Sequence, residues 1–270
     1  MNASAFSEPF TPRGVAGFAR ANYSRLLFAQ IVFAALAAAA IAWFFYDGCF
    51  PTIQAAITNL PSSGEIRSGQ LYWSGDPSLK LAEGRFLAFD VDLDHSGQFL
   101  STSDLQIEFG RDSIRVFSFF GYYTDFFYPQ HKILSFNQTD LDPLWKAWRM
   151  EILFFIALIA AAALLASWAI LAAIYTLPAW LFGFFTNRDL DWFGSWKLAC
   201  AALLPGALLM TAGVLLYDLG FLSLVALIFV FGAHFVLGWL YLVFALIFFP
   251  RVSTATPKGN PFKRKRQPGT

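Results

Sequence analysis

The chain has 270 residues, of which 57% are hydrophobic and only 14% charged. Soluble domains carry about 25% charged residues, so this composition excludes an ordinary soluble protein and points to the membrane. The formal net charge of +1, from 19 Lys and Arg against 18 Asp and Glu, says little about partners, because the basic residues are unevenly spread.

Residues 1–25 read as a polar cytoplasmic segment carrying Arg13, Arg20 and Arg25. The first apolar run, Leu26 to Tyr46, contains no Asp, Glu, Lys or Arg and meets the roughly 20 helical residues that a hydrocarbon core of about 30 Å requires. It is predicted as transmembrane helix 1 over 26–46. Residues continue to be apolar beyond the small-residue stretch Ala37 to Ala40, which favours an uncleaved anchor over a cleaved leader. Cys49 follows it and Cys200 lies in the third run, so no internal disulfide is expected.

Residues 47–148 hold most of the acidic side chains and are predicted to form a small antiparallel β-rich domain inserted between spans. Phe86 to Asp94 alternates, with Leu87, Phe89, Val91 and Leu93 on one face and Asp90, Asp92 and Asp94 on the other. That period predicts a half-buried strand with a solvated acidic face. Gly69 and the stretch Gly110 to Asp112 interrupt neighbouring β-branched and aromatic runs and predict hairpins.

Within this strand, Asp92, Asp94 and Ser96 place oxygens at positions one, three and five of a calcium-type loop, with Gly97 at position six. Position twelve, where a bidentate carboxylate belongs, is Ser103. A plain hairpin turn therefore competes with a calcium site. Further on come Phe117, Phe119, Phe120, Tyr122, Tyr123, Phe126, Phe127 and Tyr128. Such density suits a ligand or partner surface; it equally suits a domain core or an interfacial aromatic belt.

Transmembrane helix 2 is predicted over 149–176, around the run Ile152 to Tyr175. Residues 177–197, interrupted by Pro178, Gly183 and Gly194 and carrying Trp180, Trp192 and Trp196, are expected along the cytoplasmic interface. Helices 3 and 4 follow at 198–217 and 221–249, and a basic cytoplasmic tail at 250–270. Alanine runs in the first two spans predict close helix packing, and Pro205-Gly206 predicts a kink in the third. His234, inside the fourth span, is an intramembrane ionisable group. Such a group is either functional or satisfied by a neighbouring carbonyl or hydroxyl.

Orientation follows from the basic residues. The amino-terminal arginines, Arg188 with Lys197, and Arg251, Lys258, Lys263, Arg264, Lys265 and Arg266 all fall on one side of a four-span layout. The positive-inside rule puts both termini in the cytoplasm and residues 47–148 outside it. No HExxH, GxSxG, phosphate-loop or Cys/His metal spacing occurs, and no DNA-reading pattern appears. Neither catalysis, a cofactor nor nucleic acid is expected.

Phe10-Thr-Pro-Arg13 with Phe18, the outer segment Ile66-x-x-Gly69-x-Leu71, Phe89-Asp90 and Ser96-Gly97, and the carboxy-terminal spans together resemble a bacterial membrane family of unknown function. Some members of that family are encoded beside maltodextrin-utilisation genes. Phe193 to Leu209, with Ser195-Trp-Lys197 entering a span that contains Pro205, is also similar to Yip-like membrane proteins. The resemblance implies a bacterial inner-membrane location and no catalytic residue. The expected function is that of a scaffold or accessory subunit whose outer domain binds a ligand, a membrane-protein partner or a second copy. The alternative is a transporter or channel accessory subunit using the bundle around His234.

Overall fold

A computed structural model describes residues 11–250 of the protein. Phe10 of the motif above and the basic residues from Arg251 onward lie outside the described residues. Among those described, four helices are long and apolar enough to cross a membrane: Tyr23–Thr58, Gln138–Phe185, Trp192–Asp218 and Leu224–Phe248. The chain divides into two compact units, and every one of these helices contributes to both.

The first unit comprises residues 11–26, 168–205 and 237–250 of the described chain. Helix α1 (Pro12–Phe18) starts where Thr11 caps the Gly14 N–H at 3.1 Å with Pro12 in its first turn, a position where the missing proline N–H costs no helix bond. The segment expected to lie along an interface folds differently. The helix begun at Gln138 continues through Pro178 and Gly183 to Phe185, because proline removes only one bond of the ladder.

That helix ends instead at Asn187, whose left-handed φ of 59° allows the Arg188 N–H to reach the Gly183 carbonyl at 2.8 Å and the Asn187 N–H the Phe184 carbonyl at 3.2 Å. These are the two bonds of a Schellman cap. The chain re-enters a helix at once, with Asp191 capping the Gly194 N–H at 2.8 Å. Residues 198–202 are wholly buried. Lys197 donates to the Ala21 carbonyl at 2.9 Å, and Arg20 pairs with Asp189 at 2.7 Å.

The second unit comprises residues 27–167 and 206–236. Helix α2 (Tyr23–Phe44) passes through a π turn at Phe45–Cys49 into α3 (Phe50–Thr58), with Pro51 tolerated in the first turn of α3. The chain therefore stays helical well past the expected end at Tyr46. The sheets begin only at β1 (Gly64–Arg67). They continue with β2 (Gln70–Trp73), β3 (Ser78–Glu83), β4 (Leu87–Asp92), β5 (Leu105–Phe109), β6 (Ser113–Ser118), β7 (Tyr123–Phe127) and β8 (Leu134–Ser135).

Helix α4 (Gln138–Phe185) is capped by Asn137, whose Oδ1 accepts from the Asp140 N–H at 2.9 Å. Its 48 residues run about 72 Å at about 1.5 Å per residue, well beyond one hydrocarbon thickness. The third span is two helices, α5 (Trp192–Ala202) and α6 (Leu204–Asp218), broken at Leu203 before Pro205. Helix α7 (Leu224–Phe248) completes the set. Both cysteines are buried and are not joined in a disulfide.

Strands β2-β1-β8 form one antiparallel sheet and β3-β4-β5-β6-β7 the other. The second departs from the expected antiparallel pairing at one place, because β4 and β5 run parallel. Parallel neighbours need a long crossover, supplied by residues 93–104. The apolar core, with Ala56, Leu60, Ile66, Leu71, Leu81, Val91, Tyr128 and Phe136, lies between the two sheets and α3.

Candidate functional site

The acidic face of β4 is not solvated. Asp90 and Asp92 are 2% and 1% exposed, and Glu108, on the neighbouring β5, is 1% exposed. The crossover folds over this face, and it and β5 bring the face donors. Gln106 Nε2 lies 3.1 Å from both Asp90 oxygens and 3.0 Å from the Phe99 carbonyl. Ser96 Oγ and the Gly97 N–H donate to Asp92 at 2.7 and 3.0 Å. His95 takes a left-handed φ of 50°, donates from Nδ1 to Glu108, and sets Nε2 3.3 Å from Ser113 Oγ. Only glycine fits at position 110, where a Cβ would lie 2.2 Å from that nitrogen.

Burial sets the charge states. Burial pushes the Asp90 carboxyl up to about 7, reinforced by the nearby Glu108 and Asp92 charges and opposed by the Gln106 hydrogen bond and Lys80. Asp92 is equally hidden, and burial alone raises it. Hydrogen bonds from the Ser96 hydroxyl and from the backbone N–H groups of Ser96, Gly97 and Gln98 together hold it below the usual carboxylate range.

The eight aromatic positions separate by environment. Tyr128 is buried, its hydroxyl donating to the Gly110 carbonyl at 3.0 Å, so it belongs to the core and not to a surface. Phe117 is half-buried against Tyr123 at 5.7 Å. The other six, Phe119, Phe120, Tyr122, Tyr123, Phe126 and Phe127, are 51% to 82% exposed. They lie on β7 and on its turn from β6. The core alternative of the sequence thus fails for six of the eight.

Strand β7 is the outer strand of its sheet. The bonds Ser118 N–H to Tyr122 C=O at 2.8 Å and Tyr128 N–H to Asp112 C=O at 3.3 Å fix the phase of the ladder. They turn the backbone groups of Tyr123, Asp125 and Phe127 away from β6. Arg115 holds the middle of the strand, donating to both Asp125 oxygens at 2.7 and 3.1 Å and lying over the Tyr123 ring at 4.5 Å. Those hydrogen bonds keep Asp125 below the usual carboxylate range.

The turn itself is a three-residue loop. The Gly121 N–H reaches the Ser118 carbonyl at 2.9 Å, and Gly121 sits at φ 81°, the left-handed position of a G1 bulge. Replacing Gly121 with Val is expected to cost about 1–2 kcal/mol through left-handed strain, seen as a lower unfolding midpoint of the purified full chain. Gly97→Ala also strains a left-handed site, but in the crossover, and tests the other end of the same sheet.

No family model, no curated protein and no solved structure matches this chain.

Calcium finds no ligand set here. Asp92 is filled by its own loop's donors, Ser96 Oγ is one of them, and Asp94 points outward to Arg111 at 3.5 Å. Among the described residues no group of His, Cys, Asp and Glu is placed to hold a metal ion. Ser113, His95 and Glu108 have the connectivity of a nucleophile, base and orienting carboxylate. Ser113 is 6% exposed beneath the imidazole, however, and three cavities of this unit, of about 580, 350 and 270 Å³, are lined by other residues. One such cavity, about 580 Å³, includes Ser63, Ser74, Asn137 and Asp140, whose hydrogen bonds are already made with each other.

His234 is half-buried, with Nδ1–H donating to the Phe231 carbonyl one turn back and its ring against Phe235 at 3.8 Å. Its own helix thus satisfies Nδ1.

Proposed function

We propose that this is a multi-pass protein of a bacterial inner membrane, with both termini cytoplasmic, whose β-rich unit stands outside the cytoplasm as a non-enzymatic docking module. Support for the placement comes from the four long apolar helices and from the bias of basic residues to one side of the four-span layout. The docking reading is carried by one observation: the outer strand β7 presents exposed aromatic side chains together with outward-facing backbone groups. Large exposed apolar patches mark interaction sites, and a free strand edge is a template for strand addition.

The occupant is an extended segment of a membrane-protein partner, pairing with Tyr123, Asp125 and Phe127 through its backbone and packing its apolar side chains on Phe126 and Phe127. A photo-crosslinking residue in place of Phe127, in intact membranes, is expected to give one discrete adduct. The same residue at Tyr72, exposed on β2, should give none. Phe126→Lys should abolish the adduct by placing charge at the edge. An adduct of twice the chain mass would make the occupant a second copy. No adduct, or the same products from both positions, would overturn strand docking.

A further inference from the structure

The exposed aromatics fall at two ends of β7, and the turn end is placed differently from Phe127. Ser118, the last residue of β6, is level with Leu105 at the start of β5. The Phe119 N–H donates to the Asp104 carbonyl at 2.9 Å, and the Asp104 carboxylate accepts from the hydroxyl of Tyr217, in the last turn of α6. Beside it, Phe86 packs on Phe44 and on Tyr217, with ring centroids 4.9 Å apart in both cases. Phe44 ends α2 and is flanked by Trp43 and Tyr46, both about half exposed.

The β6–β7 turn is thus held at the level where α2 and α6 leave their apolar stretches, marked by the Trp and Tyr that favour the headgroup layer. It is also held to one side. Strand β4 begins directly above Phe44 and Tyr217, and β7 lies three strands further along the sheet, about 14 Å away at about 4.8 Å per strand. Phe119, Phe120 and Tyr122 therefore overhang the helices at the height of the lipid surface. Leu100, 90% exposed, lines the same small cavity as Phe119 and Gly121 and adds a fourth apolar side chain to the overhang.

We propose that this turn is a bilayer anchor: Phe119, Phe120, Tyr122 and Leu100 dip into the headgroup and upper acyl region of the outer leaflet and fix the direction in which β7 offers its free edge. The inference rests on the membrane-spanning reading above. Aromatic rings and a leucine on a rigid turn, with no basic residue from Phe117 to Thr124, suit the apolar and dipolar interface of a phospholipid layer and need no anionic headgroup.

The test uses the full chain, carrying a single Phe120→Cys, Phe127→Cys or Leu158→Cys substitution, labelled with an environment-sensitive fluorophore. Each variant is reconstituted into phosphatidylethanolamine and phosphatidylglycerol vesicles containing phospholipid with a nitroxide at the headgroup or deep in the acyl chain. The parent chain, whose two cysteines are buried, sets the background labelling. The label at position 120 is expected to lose most of its fluorescence to the headgroup nitroxide and little to the deep one, and position 127 little to either. Position 158, inside the apolar run of α4, should be quenched by the deep nitroxide. If 158 is quenched and 120 responds no more than 127, the anchor is overturned while the spans stand. If 158 is not quenched, the spans fail and the anchor with them. Unchanged quenching at 120 when anionic lipid is omitted is expected, and dependence on phosphatidylglycerol would overturn the apolar basis of the contact.

Discussion

Replacing Asp90 with Asn is expected to flatten the loss of stability that the wild-type chain suffers between about pH 4 and pH 7. The Asp90 carboxyl ordinarily titrates at 3.8, and burial moves it to about 7 in the folded chain. Between those values the unfolded chain has released its proton and the folded chain still holds it. Stability therefore falls as pH rises through this window, and the contribution is constant below and above it.

A displacement of about three pH units corresponds to a penalty on the order of 4 kcal/mol at neutral pH, fully developed only above about pH 7. An asparagine keeps the shape and can still accept from Gln106 Nε2, which lies 3.1 Å from either carboxylate oxygen, but it has no proton to lose. Unfolding midpoints of the purified full chain and its Asp90→Asn variant should agree near pH 4 and diverge steadily up to pH 7, the variant being the more stable. Parallel curves would show that Asp90 is ionised in the fold. Asp92 offers the opposite sign. Its carboxyl lies below the ordinary range, so its contribution is lost on acidification, outside the window in which Asp90 acts.

The second large effect is expected where α6 and α7 meet. A Cβ on Gly206 would lie 2.5 Å from the backbone carbonyl of His234, and a main-chain atom cannot swing aside as a side chain can. Gly206→Ala must separate two helices whose approach depends on a small residue, and overpacking of this kind costs about 1–3 kcal/mol. The expected readout is a marked fall in the fraction of detergent-purified protein that survives a heating step. Gly232→Ala, on α7, meets nothing within 4 Å and should survive as well as the parent. Equal losses from both would mean that the contact with the His234 carbonyl does not control the outcome, since alanine is the better helix former at either position.

The spans were legible because run length and the absence of charge are nearly sufficient in a hydrocarbon solvent. Their ends were not. Residues 47–58 and 138–151 are too polar to read as lipid-facing, yet they continue as helix because α3 packs against the sheets and Asn137 supplies a cap. Pro178 was misleading for the opposite reason: it removes one bond but stops nothing, and the real stop is the left-handed Asn187.

At the site, alternation in β4 correctly separated two faces. It then misassigned the acidic one, since a polar face is wet only if nothing covers it, and the crossover that covers it exists because β4 and β5 are parallel. That pairing has no signature in either strand alone. The six exposed aromatics defeat a reading by hydrophobicity, which sends them inside. The available signal was Gly121, which follows Phe119-Phe120 and precedes Tyr122-Tyr123: a glycine there marks a tight hairpin, and the residues beside such a turn have no interior to enter.

Strand β1 pairs with β2 on one side and with β8 on the other, matching Glu65 to Ser135 and Ile66 to Leu134. The points where the chain enters and leaves the β-rich unit are thus stitched together, about one strand spacing of 4.8 Å apart. Whatever sequence lies between them presents the same narrow gap to α3 and α4. Lengthening or shortening a loop between β2 and β8 is therefore expected to leave the spacing of α3 and α4 unchanged, because the β1 pairing sets that gap and the chain in between does not.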